Sequence, residues 1–185
     1  MEIPEADPQI SDDSSVPYAI GQGTNNYTVS QINRYVTAVA NRGTVYSLSL
    51  IDKTTDSNGK LIKDYTPEVV NQMDEISSST WDLVHNGMES MVKSSSTFAG
   101  MDISMGGKTG TAQYSKIHAD NVLFVGYAPA SDPEYAVAIR IANGYSSGNA
   151  CLIANDIFKY MYNLADKDSI LTGIASTDTS DTSND

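Results

Sequence analysis

Among its 185 residues the chain has one cysteine and two histidines. Cys151 alone cannot form an intramolecular disulfide, and His85 and His118 do not stand with it at zinc-ligand spacing, so neither bridges nor a structural metal are expected to hold the fold. No apolar run approaches the ~18 residues that would mark a membrane span. The amino terminus, MEIPEADPQISDD, lacks both the basic and the apolar stretch of a signal peptide. A membrane anchor could lie upstream of Met1. Bases are scarce as well, 11 against 23 acids, for a formal net charge of -12. No cluster of Lys or Arg offers a surface for phosphates, which argues against nucleic-acid binding.

The charge is unevenly spread. Residues 1–13 carry five acids and no base, and residues 166–185 carry five acids and one lysine, so the body between them is close to neutral. The tail ASTDTSDTSND at 175–185 has no apolar side chain beyond Ala175 and cannot repay the entropy of ordering. The segment 1–15 reads as an acidic linker with Pro4 and Pro8, residues 16–165 as the folded body, and 166–185 as a disordered tail. With 40% hydrophobic and 18% charged residues the chain as a whole has the composition of a globular domain, and a chain of this size buries roughly 70% of its unfolded surface. One domain is expected.

Thr28-x-x-Gln31 is a capping-box pattern, followed by Ile32, Tyr35, Val36, Val39 and Ala40 on one helical face and by Asn41 and Gly43 as stop signals. Residues 45–52 and 60–65 flank Ser57-Asn58-Gly59 and predict a hairpin. A second helix after Ser78 to Thr80 places Trp81, Val84, Met88, Met91 and Val92 together. Three strands follow, at 108–114, 121–127 and 135–142, joined by short loops and therefore antiparallel. A last helix at about 150–164 sets Ile153, Ile157, Tyr160, Met161 and Leu164 toward the sheet. The class is α+β, helices packed on an antiparallel sheet.

The densest chemistry lies in GGKTGTAQ at 106–113. A phosphate loop would need glycine six residues before the lysine, where Asp102 stands, and a helix after it, where a strand is expected. A second reading is a glycine-rich strand entry with a solvated lysine. The third is a Lys-Thr-Gly element bordering a cleft. There Lys108 and the hydroxyls of Thr109 and Thr111 suit a carboxylate, and Gly106, Gly107 and Gly110 let a substrate approach the backbone.

Four blocks in order, YAIGQGTNNYTVSQINRYVTAVANRGTVY at 18–46, GMESMV at 87–92, GGKTGTAQ, and NVLFVGYAPASDPEYAVAIRIANG at 121–144, together resemble the C-terminal half of a class B penicillin-binding protein transpeptidase domain. The resemblance implies the serine β-lactamase and transpeptidase fold and the cross-linking of peptidoglycan stem peptides outside the cell membrane, with no cofactor. It implies that Thr109 and Thr111 hold the terminal carboxylate of a D-Ala-D-Ala peptide or of a β-lactam, with Lys108 supporting it and Gly110 between them. The backbone N–H of Thr111 would be one oxyanion donor. The family's nucleophilic Ser-x-x-Lys and its Ser-x-Asn precede everything matched here, so the chain alone is expected to be inactive and to lack the N-terminal half of its domain.

Ser90-Met91-Val92-Lys93 fits Ser-x-x-Lys but lies in the GMESMV block, on a helix whose apolar face includes Met91 and Val92. Ser147-Gly148-Asn149 fits Ser-x-Asn but follows the Lys-Thr-Gly strand and reads as loop and cap residues. His118 and Asp120 fall in a short loop and read as surface groups. Arg140 is either a charge partner or a snorkelling side chain. The alternative to a transpeptidase part is a free-standing binding or scaffold module. Such a module would melt as a monomer, whereas a severed half would self-associate through its exposed sheet.

Overall fold

A computed structural model describes residues 27–113 and 117–170. The expected linker at 1–15, the beginning of the first resemblance block and the tail from 171 lie outside the described residues.

Helix α1 spans Val29–Ala40 and opens on the expected capping box. Gln31 N donates to Thr28 Oγ1 at 3.1 Å, and Thr28 N donates to Gln31 Oε1 at 2.9 Å. The helix stops where Gly43 takes φ +102°, and a Cβ there would come within 3.1 Å of Met73 Cβ, so both conformation and space call for glycine. Val36, Ala38, Val39 and Ala40 are buried, whereas Tyr35, expected on the inner face, is exposed.

The next segment corrects the expected hairpin. Strand β2 (Lys53–Thr55), not residues 45–52, pairs antiparallel with β3 (Leu61–Asp64), while β1 (Thr44–Tyr46) pairs with β4 (Val69–Gln72). Asp56 Oδ1 accepts from the amides of Asn58 and Lys60, both at 2.9 Å. This draws the turn tight, so the residues directly before it become the partner strand.

Helix α2 (Ser78–Ser94) is capped by Ser77 and buries Trp81, His85 and Val92. Val84, expected inside, is exposed. His85 takes the inner place because its Nε2 donates to the Val39 carbonyl at 2.8 Å and its ring packs on Tyr127 with centroids 5.3 Å apart. A 3₁₀ turn at Ser96–Phe98 then leads to the main sheet.

That sheet holds β5 (Gly106–Ala112), β6 (Asn121–Ala128) and β7 (Tyr135–Ile141), antiparallel in that order. The first strand begins two residues earlier than expected. On the central strand Val122, Phe124, Tyr127 and Ala128 are fully buried. Val36, Ala40 and Ala130 pack with Tyr127 on one face; Val92, Phe98, Ala150, Ala154 and Phe158 pack with Val122 and Phe124 on the other.

Helix α3 (Ser147–Met161) starts earlier than expected and is turned about its axis. Ala150, Cys151, Ala154, Asn155 and Phe158 face inward, while Ile153, Tyr160 and Met161 are exposed and Leu164 lies beyond the helix, also exposed. Small residues let the helix axis approach the sheet, and the cap fixes the rotation. Gly148 N donates to Ser146 Oγ at 3.2 Å, and Asn149 Nδ2 donates to the Gly144 carbonyl at 2.9 Å. A short helix α4 (Lys167–Ile170) follows the boundary set at 165, with Ile170 buried.

The rotated face has a direct test in denaturant unfolding. Phe158→Ala should destabilise the chain by about 3–5 kcal/mol, whereas Ile153→Ala should stay within about 0.5 kcal/mol. Equal losses would contradict the observed rotation.

Candidate functional site

Strand β5 is an edge strand among the described residues, paired on one side only. Its register on β6 sets Lys108 opposite Val125, Thr109 opposite Phe124, Gly110 opposite Leu123 and Thr111 opposite Val122. Since side chains alternate along a strand, Thr109 and Thr111 share the face of Phe124 and Val122, and Lys108 and Gly110 share the face of Tyr127. Lys108 is exposed and its Nζ donates to the Thr109 carbonyl at 2.8 Å. Thr109, Gly110 and Thr111 are half-buried. The motif thus carries a cation on one face and two hydroxyls on the other, on a strand paired on one side among the described residues, and a cation with hydroxyls is a donor set suited to a carboxylate.

The three glycines of this segment are not equivalent, which corrects the expectation that all of them make room for a substrate. A Cβ on Gly106 would lie 2.6 Å from Tyr127 Cζ, and one on Gly107 would lie 2.6 Å from Phe124 Cζ. Those spaces are filled by the protein's own rings. At Gly110 a Cβ would meet only Leu123, at 3.6 Å, an ordinary contact. Nothing among the described residues demands glycine there.

The other sequence candidates are placed apart from this edge in role. Ser90 Oγ donates to the Asn86 carbonyl at 2.7 Å, back along its own helix, and Lys93 Nζ pairs with Glu89 Oε2 at 2.8 Å. Ser147 and Asn149 are buried in the first turn of α3. His118 is exposed, and Asp120 offers its main-chain carbonyl to Gly144 N at 2.9 Å. Arg140 is exposed on β7 opposite Leu123, on the same sheet face as Lys108. A second Ser-x-x-Lys spacing, Ser57 to Lys60, escaped the sequence reading; it forms the β2–β3 turn rather than a helix. A groove of about 480 Å³ lies between α1 and the small strands, lined chiefly by apolar Tyr27, Ile32, Tyr35, Ala38, Val45 and Met73, and takes in none of the Lys-Thr-Gly residues. Among the described residues no group of His, Cys, Asp and Glu is arranged to hold a metal ion.

The family model described as the penicillin binding protein transpeptidase domain matches residues 2–163. The chain belongs to the penicillin-binding protein transpeptidase family. Penicillin-binding protein 2B of Streptococcus pneumoniae is 30% identical over 163 residues, covering 77% of this chain and 24% of the relative. The solved structure of penicillin-binding protein 2B from that organism superposes with a TM-score of 0.73 at 27% identity, covering 87% of this chain and 29% of that one. Penicillin-binding protein A from M. tuberculosis, solved as an imipenem acyl-enzyme complex, shares the fold with a TM-score of 0.70 at 20% identity, covering 79% of this chain and 33% of that one. The chain therefore spans about a quarter of the length of the curated relative it matches. The α+β architecture described above is that of the transpeptidase fold.

Beneath the motif, Tyr127 is fully buried and its hydroxyl has no hydrogen-bond partner among the described residues. Burial pushes this phenol up from its ordinary 10.0 to about 12, and the Glu89 carboxylate adds to the shift while Arg42 opposes it. The neutral phenol is thus favoured in the folded state. The stability it contributes is complete below pH 10.0 and is lost as the pH rises through about 12. Tyr162, which donates to the Ala128 carbonyl at 2.7 Å, is raised to the same region, by burial and then by Glu134. Tyr127→Phe removes an unsatisfied buried hydroxyl, so the variant should be at least as stable as the parent at pH 7. In thermal melts its loss of stability between about pH 10 and 12 should be shallower. A lowered midpoint at pH 7 would show that the hydroxyl is satisfied after all.

Proposed function

We propose that this chain is the C-terminal part of a class B penicillin-binding peptidoglycan D,D-transpeptidase and supplies its carboxylate-binding strand. Lys108 and the hydroxyls of Thr109 and Thr111 hold the terminal carboxylate of a D-Ala-D-Ala stem peptide or of a β-lactam. A strand paired on one side turns alternate N–H groups outward, and the Thr111 N–H serves as one oxyanion donor for the tetrahedral intermediate. The observation that carries the reading is Gly110. It lies at the centre of the motif on a strand paired on one side, and the described residues leave room for a side chain there. Glycine at that position is explained by close approach of a ligand to the backbone.

The acyl-serine step needs a nucleophile and a lysine that these residues do not bring together. Ser90 is turned back on its helix and Lys93 is engaged with Glu89. In this reading the parent forms an ester between its serine and the donor peptide, expelling D-Ala, and then passes the acyl group to an acceptor amine. The N-terminal half of the domain covers what is exposed here: the outer edge of β7 and the apolar side of α3 formed by Leu152, Ile153, Tyr160 and Met161. Among the described residues no helix is long and apolar enough to cross a membrane; the anchor belongs to the parent, which acts on the outer side of the cell membrane.

Intact-mass measurement after penicillin treatment should find no covalent adduct on the 185-residue chain. A stoichiometric adduct would overturn the reading and make Ser90 the first suspect. In the complete domain, Lys108→Ala should slow acylation by about 10²-fold or more, and an unchanged rate would remove the role given to that lysine. Sedimentation of the isolated chain should show concentration-dependent association through the exposed surfaces; a cooperative monomer would favour a free-standing module.

A further inference from the structure

Resting on the reading of the Lys-Thr-Gly strand just given, we infer that Phe124 and Tyr127 are positioning residues for it. Their rings occupy the places where Gly106 and Gly107 would carry side chains, and so set the height of β5 over β6 immediately before Lys108.

The contacts are close on both faces of the sheet. A Cβ at Gly107 would stand 2.6 Å from Phe124 Cζ and 2.8 Å from its Cε2; one at Gly106 would stand 2.6 Å from Tyr127 Cζ and 2.8 Å from its hydroxyl. Phe124 crosses on the face shared with Thr109 and Thr111, and Tyr127 on the face shared with Lys108. Gly126, opposite Gly107, is equally tight: a Cβ there would lie 2.8 Å from the Gly106 carbonyl and 2.8 Å from Phe124 Cε1. The strand entry is therefore gripped from above and below by two rings, with three glycines making room.

Neither ring can retreat. Both are completely buried. Phe124 is backed by Phe98 at a centroid distance of 5.3 Å, and Tyr127 by His85 at the same distance. His85 is in turn held by the Val39 carbonyl. An edge strand paired on one side would otherwise be free to shift or slip. An aromatic ring laid across a glycine pins both register and height. Placement at this level matters, because misplacing reacting groups by about 1 Å can lower a rate by about 10²-fold.

The test is a size-compensation cycle in the complete transpeptidase domain, read as the second-order rate of acylation by a fluorescent penicillin, at a temperature where circular dichroism shows every variant folded. Gly107→Ala and Phe124→Leu should each slow acylation by about 10-fold to 100-fold. The double variant, whose shorter side chain makes room for the new methyl group, should return to within about 3-fold of the parent. Single variants that acylate at the parental rate, or a double variant whose losses simply add, would overturn the inference. If Gly107→Ala does not fold, Phe124→Leu with the double variant still decides, since recovery of rate in the double variant is the signature. Failure of the underlying reading looks different: there the unsubstituted domain is not acylated, or Lys108→Ala leaves the rate unchanged. Positioning alone fails when Lys108→Ala is impaired and the ring and glycine variants are not.

Discussion

Everything in this fold is referred to strand β6. Its side chains alternate between two cores, Val122, Phe124 and Ala128 toward α3 and Tyr127 toward α1, and each of these four is completely buried. A strand buried on both faces gains roughly 1.5–3 kcal/mol for each large apolar side chain it removes from water, and its pairing register is fixed because a slip of one residue would exchange the two cores. The edge strand β5 inherits that register through seven successive pairs from Gly106–Tyr127 to Ala112–Asn121. A strand open on one side can thus be as well placed as a central one.

How far the sequence discloses this depends on whether the deciding contact is local. The Thr28–Gln31 capping box is complete within four residues, and the helix begins where the pattern puts it. The alternation of β7 and the turn residues between the strands likewise gave the right sheet. The partner of β3 was misjudged because the Asp56 side chain, closing the turn on two amides, outweighs the apolar content of residues 45–52. The face of α3 was misjudged for a different reason. Apolar ranking favours Ile153 and Met161 over Ala150 and Ala154, but close approach of a helix to a sheet favours the smaller side chain. His85 shows the same limit, since its inward turn depends on a carbonyl forty-six residues away.

The site divides in the same way. Lys108, Thr109, Gly110 and Thr111 are contiguous, so the motif is visible without a structure, and the family match over residues 2–163 agrees with the fold found. The meaning of the neighbouring glycines was not visible. Gly106 and Gly107 resemble further members of a substrate-facing loop until the register reveals which ring of the next strand crosses each one. The only trace in the sequence is the pairing of a glycine doublet on one strand with Phe124 and Tyr127 on the next, and that becomes legible once the register is known.

Setting interior demand against exterior demand separates two uses of one residue type. Where a Cβ would strike a buried ring, glycine serves the packing of the fold. Where a Cβ would fit and the strand nevertheless carries glycine, packing among the described residues does not call for it, and in the function proposed above the space is kept for a ligand. Gly110 is of the second kind, and it lies between the two threonines whose hydroxyls share a face. In the proposed reading, fold and ligand constrain the same seven-residue strand at different positions: the rings bear on its first two residues, and Lys108, Thr109, Gly110 and Thr111 meet the ligand.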